Sequence, residues 1–202
     1  MKKLKGFTLQ ELAIVIAILA ILLSIAVPNY IAMKKRADVD SIANQFAAMI
    51  RELYEKIDSE MEYDTYNSSA GGHMSKYYIR IDNYKIPDPI SGERNLKIQL
   101  IKFDASASPA TETVIKEIVS KTVKLQNASG SSILMDSAGN VATYITFKPD
   151  GKILRFTDRV AARNNVEDFS VRNGIEVVPK SGGGYKKTVY LNTVPPGSVE
   201  VK

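Results

Sequence analysis

Cysteine is absent from this chain of 202 residues, and histidine occurs once, as His73. No disulfide can form, thiol chemistry is excluded, and the absence fits either redox compartment. A single histidine excludes a multi-histidine metal site and any catalytic triad that does not use His73. The GxSxG, P-loop and zinc-ligand patterns are missing as well. We therefore predict no catalytic residue, no bound metal and no cofactor, and interpret His73, in a polar stretch, as solvent-exposed.

A strong excess of one charge is also lacking once the N-terminus is set aside. The formal net charge is +5, from 27 basic and 22 acidic residues. Lys2, Lys3 and Lys5 lie within the first six positions, and without them the balance falls to +2. This charge gives no general argument for nucleic acid as a partner. The composition, 45% hydrophobic and 24% charged, is that of a globular chain.

One long stretch near the N-terminus has no charge at all. Between Leu12 and Val27 no residue is ionisable, and Ser24 is the one polar side chain. Counted from Phe7, the stretch spans roughly 31 Å as a helix, which matches a bilayer core of about 30 Å. The sequence therefore predicts a membrane-spanning helix. Basic residues flank it on both sides, so charge does not fix its orientation.

A cleaved secretory signal peptide shares these features and is an alternative. Cleavage after Ala26 would place Pro28 second in the mature chain, a poor context for cleavage, and would leave Glu11 unexplained. The remainder of the chain would then be a secreted hydrolase, which is a second class of function.

The helical pattern continues beyond the apolar run. We predict one helix from about Phe7 to about Glu62, on the order of 80 Å long, with a kink near Pro28, which lacks an N–H group. The first half is apolar on all sides and the second half is amphipathic. Apolar residues at spacings of three and four form one stripe along that second half: Val39, Ile42, Phe46, Met49, Ile50, Leu53 and Ile57.

The stretch KGFTLQELAIVIAILAILLSIAVPNY resembles the N-terminus of the type IV pilin superfamily, which includes pilins and the pseudopilins of type II secretion. Gly6 stands where the short basic leader ends, Phe7 where the mature chain begins, and Glu11 at the fifth mature position. Pro28 and Tyr30 match a helix-kinking proline and the tyrosine that soon follows it. The match covers about 30 of the 202 residues.

The resemblance implies a structural subunit, a pseudopilin or minor pilin, of a type IV pilus or a type II secretion-like filament, without enzymatic activity. A prepilin peptidase would cleave between Gly6 and Phe7 and methylate the new amine of Phe7. The implied partners are other pilin or pseudopilin subunits, that peptidase, an inner-membrane assembly platform and the lipid bilayer. The implied location is the cytoplasmic membrane, crossed once, with the C-terminal domain outside the cytoplasm, and then the filament.

Glu11 has a physical role in this interpretation. A lone carboxylate inside a bilayer costs roughly 2.5 kcal/mol or more and requires a partner. Cleavage supplies one, because the methylated amine of Phe7 remains a cation. We expect Glu11 of an incoming subunit to pair with Phe7 of a neighbour and to set the axial register. Pairing within the same subunit and snorkelling to the interface are the alternatives.

The remaining two-thirds of the chain predicts a β-rich domain. A polar loop over 63–76 precedes a half-buried strand in YYIRIDNY and a second strand in NLKIQLIKF. ATYITFKPDGKILRF predicts a hairpin that turns at Pro149, Asp150 and Gly151. DFSVRNGIEVV, KKTVYLN and GSVEVK predict three further strands, with a hairpin tip at 182–184. Residues 111–125 fit both helix and strand, and lean to strand at their end.

A finer resemblance concerns the subtype. ITFKPDGK followed by YKKTVYLNTVPPGSVEVK is similar to the C-terminal half of GspH/FimT-like minor pseudopilins, although two prolines before Gly197 depart from that pattern. The missing cysteines depart from the disulfide-closed loop of many major pilins. Both points favour a pseudopilin or a minor subunit, and the missing cysteines also fit a system that closes this loop differently.

A DNA-binding minor pilin of an uptake system is a further alternative. From Lys148 to the C-terminus, ten basic residues accompany six acidic ones. Lys186 and Lys187 are the candidates for contacts with DNA phosphates, although a solvated surface of mixed charge explains the same count. The DSAGN stretch at 136–140 lacks the ligand spacing of an EF-hand and is interpreted as a turn.

The predicted fold class is α+β, with a long N-terminal helix packed through its amphipathic half on an antiparallel β-sheet or sandwich. The predicted divisions are a leader peptide at 1–6, a transmembrane assembly helix at 7–28, its amphipathic continuation at 29–62 and a globular β-rich domain at 63–202.

Overall fold

The structure, a computed structural model, begins with one long helix, α1, over Leu9–Glu60. Met61 ends it with a left-handed φ of 47°, and its N–H donates to the carbonyl of Ile57 at 3.0 Å, which caps the last turn. The predicted helix is confirmed over these residues, with Pro28 inside it. The structure describes residues 9–61, 63–67, 72–87, 94–104, 111–127, 142–147, 153–156, 167–168, 174–192 and 198–202.

Within the described residues, twelve strands form three antiparallel sheets, which confirms the α+β class. The strands are β1 (Tyr63–Asn67), β2 (Gly72–Ser75), β3 (Tyr77–Pro87), β4 (Arg94–Asp104), β5 (Thr111–Ser120), β6 (Val123–Asn127), β7 (Ala142–Phe147), β8 (Ile153–Phe156), β9 (Glu167–Asp168), β10 (Ile175–Pro179), β11 (Lys187–Asn192) and β12 (Ser198–Val201).

The largest sheet has six strands in the order β5-β4-β3-β7-β8-β9. It contains the predicted hairpin, since Tyr144 pairs with Phe156 and Phe147 with Ile153 across β7 and β8. The predicted turn at 149–151 lies outside the described residues. The hairpin itself is confirmed.

The segment at 111–125, which fitted both helix and strand, forms β5 and the start of β6 and contains no helix. β5 pairs with β4 from Asp104↔Thr111 to Leu96↔Ser120. The β-branched residues of this segment suit a pleated ladder better than a helix. The pairing with β4 is a tertiary contact, which the local pattern does not contain.

The second sheet has the order β12-β11-β10-β6. The predicted hairpin tip is confirmed between β10 and β11, where Gly182 and Gly183 have φ of 77° and 137°. Glycine reaches these angles without the steric cost that a side chain would add. The three strands predicted from the C-terminal segments are present as β10, β11 and β12.

Two expectations were wrong. The stretch at 63–76 is not a loop, because β1 and β2 pair as a two-stranded antiparallel sheet and β2 contacts β7. Its polar composition gives no alternation from which strands can be predicted. β3 is also more than half buried, since Tyr78 and Asp82, on the face opposite Ile79, are only 0% and 6% exposed.

The chain divides between Ala37 and Asp38 into two units. In the C-terminal unit, α1 packs on the sheets through the predicted stripe, and all seven of its residues are buried, together with Ala43 and Ala47. The core that they enter is formed by apolar side chains of the two larger sheets, among them Ile79, Ile98, Ile145, Val177 and Leu191.

Candidate functional site

The N-terminal part of α1 presents a continuous apolar surface. Every residue from Leu9 to Ala37 is exposed, and the large apolar ones range from 45% exposed at Val15 to 87% at Leu9. Soluble monomers rarely expose contiguous apolar patches above a few hundred Å², so this surface requires a cover of lipid or protein. Within the described part of the chain, α1 is the one helix long and apolar enough to cross a membrane, judged by length and composition.

The few polar groups within this surface lie where the helix itself stabilises them. Glu11 lies in the first turn of α1, where the helix dipole favours a negative charge. Ser24 Oγ donates to the carbonyl of Ile21 at 2.7 Å, so this hydroxyl is satisfied inside the helix. Gly6 and Phe7 lie outside the described residues, and their relation to Glu11 stays a prediction.

The amphipathic half of α1 is fixed to the sheets by polar contacts as well as by its apolar stripe. These contacts reach four different parts of the C-terminal unit, so the helix is held along its length and not at one point. They are Thr122 Oγ1 to Asp38 Oδ2 at 3.0 Å, Tyr185 OH to Asp40 Oδ1 at 2.6 Å, Arg51 Nη2 to the Val199 carbonyl at 2.8 Å, and Lys116 Nζ to Glu52 Oε2 at 2.7 Å.

A charged network joins the last turn of α1 to the six-stranded sheet. Glu60 Oε2 accepts hydrogen bonds from Tyr77 OH and from Lys102 Nζ, the latter at 2.9 Å. The ammonium of Lys102 also lies 5.0 Å from the centre of the Tyr77 ring. These bonds lower the pKa of Glu60. Burial, followed by the bond to Glu60, raises the pKa of Tyr77, and the bonds to Tyr77 and Glu60 raise the pKa of Lys102.

A second polar network crosses the other face of the six-stranded sheet, and no local sequence pattern indicates it. Arg80 Nη1 donates to Glu112 Oε2 at 2.8 Å and Arg80 Nη2 to Gln99 Oε1 at 2.7 Å. Gln99 continues to Glu117, and Glu112 also accepts from Tyr78 OH. These residues come from β3, β4 and β5, so only strand order brings them together.

The two lysines proposed for DNA contacts lie at the start of β11. Lys186 Nζ forms an ion pair with Glu176, whose side chain is only 4% exposed and also accepts from Gln126 Nε2 at 3.0 Å. Burial raises the pKa of Glu176, and the bonds from Lys186 and Gln126 outweigh it, so the net shift is downward. The charge of Lys186 is thus partly neutralised within the chain. Lys187 is half-buried and pairs through its backbone with Val177.

The remaining candidate features give no evidence of a metal or catalytic site within the described residues. Among the described residues, no group of three His, Cys, Asp or Glu side chains could hold a metal ion. His73 lies in β2, opposite Thr65, and its side chain is outside the described part, as is the stretch at 136–140. A cavity of about 250 Å³ between α1 and the β5–β6 turn is lined by Asp38, Ser41, Ile42 and residues 119–122.

Known proteins resemble this chain at its N-terminus and over part of its length. A family model described as the prokaryotic N-terminal methylation motif matches residues 1–27. The type IV wide pilus major component PilA4 of Thermus thermophilus is 45% identical over 78 residues, which are 37% of this chain and 55% of that protein. The chain therefore spans about half the length of the curated relative it matches. No solved structure matches it.

The fold has a pilin-like α+β architecture, with one long helix that is apolar and exposed in its first part and packed on antiparallel sheets in its second. The methylation motif and the pilin relative both support the resemblance to the type IV pilin and pseudopilin superfamily.

Proposed function

We propose that this chain is a structural subunit, a pseudopilin or minor pilin, of a type IV pilus or type II secretion-like filament, with no catalytic activity. The observation that carries the proposal is the continuity of α1. Most of its exposed apolar part lies within the methylation motif, and the same helix enters the core of the C-terminal unit. A subunit built in this way can pass from lipid to a helical filament core without refolding.

Processing precedes assembly in this proposal. A prepilin peptidase cleaves between Gly6 and Phe7 and methylates the amine of Phe7. Before assembly, the mature chain crosses the cytoplasmic membrane once, with the sheets on the non-cytoplasmic side. An inner-membrane platform then moves it into the filament.

Glu11 guides assembly through its charge. In a poorly solvated environment its carboxylate attracts the methylated amine of Phe7 in a neighbouring subunit, and the pair sets the axial register. A position in the first turn of a membrane helix suits this role, because the neighbouring N-terminus then lies at the same depth.

Intact-mass measurement and N-terminal sequencing of the chain, expressed with and without a prepilin peptidase, test the processing step. The expected product starts at Phe7 and carries one added methyl group, and the chain stays uncut without the enzyme. A product starting near Val27 would instead show an ordinary signal peptide and would overturn the proposal.

Assembly is tested by Glu11→Ala, with Glu55→Ala as the matched control. Glu55 is an exposed carboxylate on the other half of the same helix. Sheared filaments from cells should lack the Glu11→Ala chain, which remains in the membrane, and should contain the Glu55→Ala chain at parental level. Equal incorporation of both variants would exclude the pairing mechanism.

A further inference from the structure

The apolar part of α1 ends in a group of cations. From Leu12 to Met33 no residue is charged, and Lys34, Lys35 and Arg36 follow at once. This run of 22 residues is about 33 Å long as a helix, close to the bilayer core at about 30 Å. With Glu11 near one membrane surface, the three cations therefore reach the opposite surface.

The geometry of the helix spreads these cations around its circumference. All three are helical and exposed, and successive residues turn by about 100°, so together they cover roughly 200° of arc. Tyr30, which is 67% exposed, precedes Lys34 by four residues and shares its face. Tyrosine at the boundary, with long cationic side chains beyond it, is the arrangement typical of a membrane–water interface.

Processing makes this group the main cluster of side-chain cations beside the span. Before cleavage, Lys2, Lys3 and Lys5 balance it on the other side. Removal of the leader leaves the three cations on the non-cytoplasmic side, opposite to the usual bias of membrane proteins. Negative charge at the same depth stabilises an arrangement against that bias.

Two acidic residues follow the three cations along the chain and bond to the C-terminal unit. Asp38 accepts a hydrogen bond from Thr122, and Asp40 accepts one from Tyr185. Negative charge for the cations is also available at the membrane surface itself. Phosphate groups suit both lysine, as a point charge, and arginine, as a bidentate donor.

We propose that Tyr30, Lys34, Lys35 and Arg36 form a basic collar that binds anionic phospholipid headgroups on the non-cytoplasmic side of the bilayer. The inference rests on the proposed function, since it requires α1 to span the membrane. The ring of Tyr30, on the apolar side of the cations, favours lipid over a purely ionic contact with another chain. The collar holds the subunit at a fixed depth, and the assembly machine must detach it from these lipids.

The chain has no tryptophan, so Tyr30→Trp introduces a single tryptophan, which can be excited selectively and keeps an aromatic ring in the collar. The full chain is reconstituted in vesicles of phosphatidylcholine with about one-third phosphatidylglycerol, and bromine is placed on the acyl chains of one lipid or the other. We expect local enrichment of phosphatidylglycerol of about fivefold at low salt, declining towards 1 M salt. In the proposed topology the leader lysines lie on the other side of the bilayer from this probe.

In the same Tyr30→Trp background, the collar variant is Lys34→Gln, Lys35→Gln and Arg36→Gln. The matched control, Lys121→Gln, Lys124→Gln and Lys180→Gln, removes the same charge from the C-terminal unit. We expect the collar variant, and not the control, to lose the enrichment of phosphatidylglycerol around the probe, so that the two lipids are randomly mixed there.

Each other result overturns a defined part of the reasoning. Equal quenching by both brominated lipids in the parent overturns the collar and leaves membrane spanning intact. Absence of quenching by either lipid overturns the proposed function and the collar with it. A preference for phosphatidylglycerol that survives in the collar variant assigns it to residues outside the collar, and one that disappears equally in the control assigns it to net charge. Either result overturns the collar.

Discussion

Gly174, immediately before β10, has the closest neighbours for an added side chain among the glycines whose surroundings the structure describes. A Cβ atom added there would lie 2.3 Å from Thr188 Cγ2 and 3.1 Å from the ring of Tyr190. The first distance is far below van der Waals contact, and Thr188 is held in β11 by backbone bonds to Lys202 in both directions. Because a β-branched side chain has few alternative rotamers, the strand itself must shift.

We therefore expect Gly174→Ala to lower the free energy of unfolding by about 1–3 kcal/mol, the usual cost of overpacking. For a unit of this size, each kcal/mol corresponds to a fall of about 2–4 °C in Tm. Thermal unfolding of the full chain in detergent, followed by the near-UV circular dichroism of its ten tyrosines, measures the change. Near-UV signals report packing of the sheets and are insensitive to helix retained in detergent.

A double-mutant cycle isolates the clash. Thr188→Ser removes Cγ2, so Gly174→Ala combined with Thr188→Ser should recover most of the loss. Gly184→Ala is the control, because a Cβ added at Gly184 would have no heavy atom within 4 Å and the residue has no left-handed φ; it should change stability by less than about 0.5 kcal/mol. If Gly174→Ala costs no more than Gly184→Ala, or if Thr188→Ser brings no recovery, the close packing of Gly174 against β11 is wrong.

Three further predictions concern the attachment of α1. Glu60→Gln should cost about 0.5–1 kcal/mol at pH 7, allowing for solvent exposure. Tyr77 and Lys102 lower the folded pKa of Glu60, so the stabilising contribution of its carboxylate is complete above the ordinary value of 4.5 and is lost as pH falls through the folded pKa. Denaturation should therefore show a smaller stability difference between the parent and Glu60→Gln at pH 3 than at pH 7. Equal differences at the two pH values would contradict this. Phe46→Ala, at a fully buried site, should cost about 3–5 kcal/mol in urea unfolding, and a loss below about 1 kcal/mol would place Phe46 outside the core. Tyr185→Phe should cost about 1 kcal/mol through its bond to Asp40, and an unchanged urea midpoint would show that the bond adds nothing.

The sequence alone determined the helix and its two faces. All seven residues of the predicted stripe from Val39 to Ile57 are buried, because the period of 3.6 residues that places them on one face is a local property of the helix. The hairpin of β7 and β8 was equally visible, since strand alternation and turn residues are adjacent in the chain. The methylation motif is likewise a continuous stretch, and Glu11 stands out within it as the one acidic residue of the first 37.

Only the tertiary structure decided the elements whose partners are distant in sequence. β5 became a strand because β4 pairs with it along its whole length, and β1 and β2 pair despite a polar composition that carries no periodic signal. The network of Arg80, Gln99 and Glu112 needs three strands in one order. The ion pair of Lys186 with Glu176 needs β11 to begin beside β10. Such contacts depend on strand order and register, which cannot be predicted from any short stretch of sequence. Helix periodicity and turn residues can, because they involve only a few neighbouring residues.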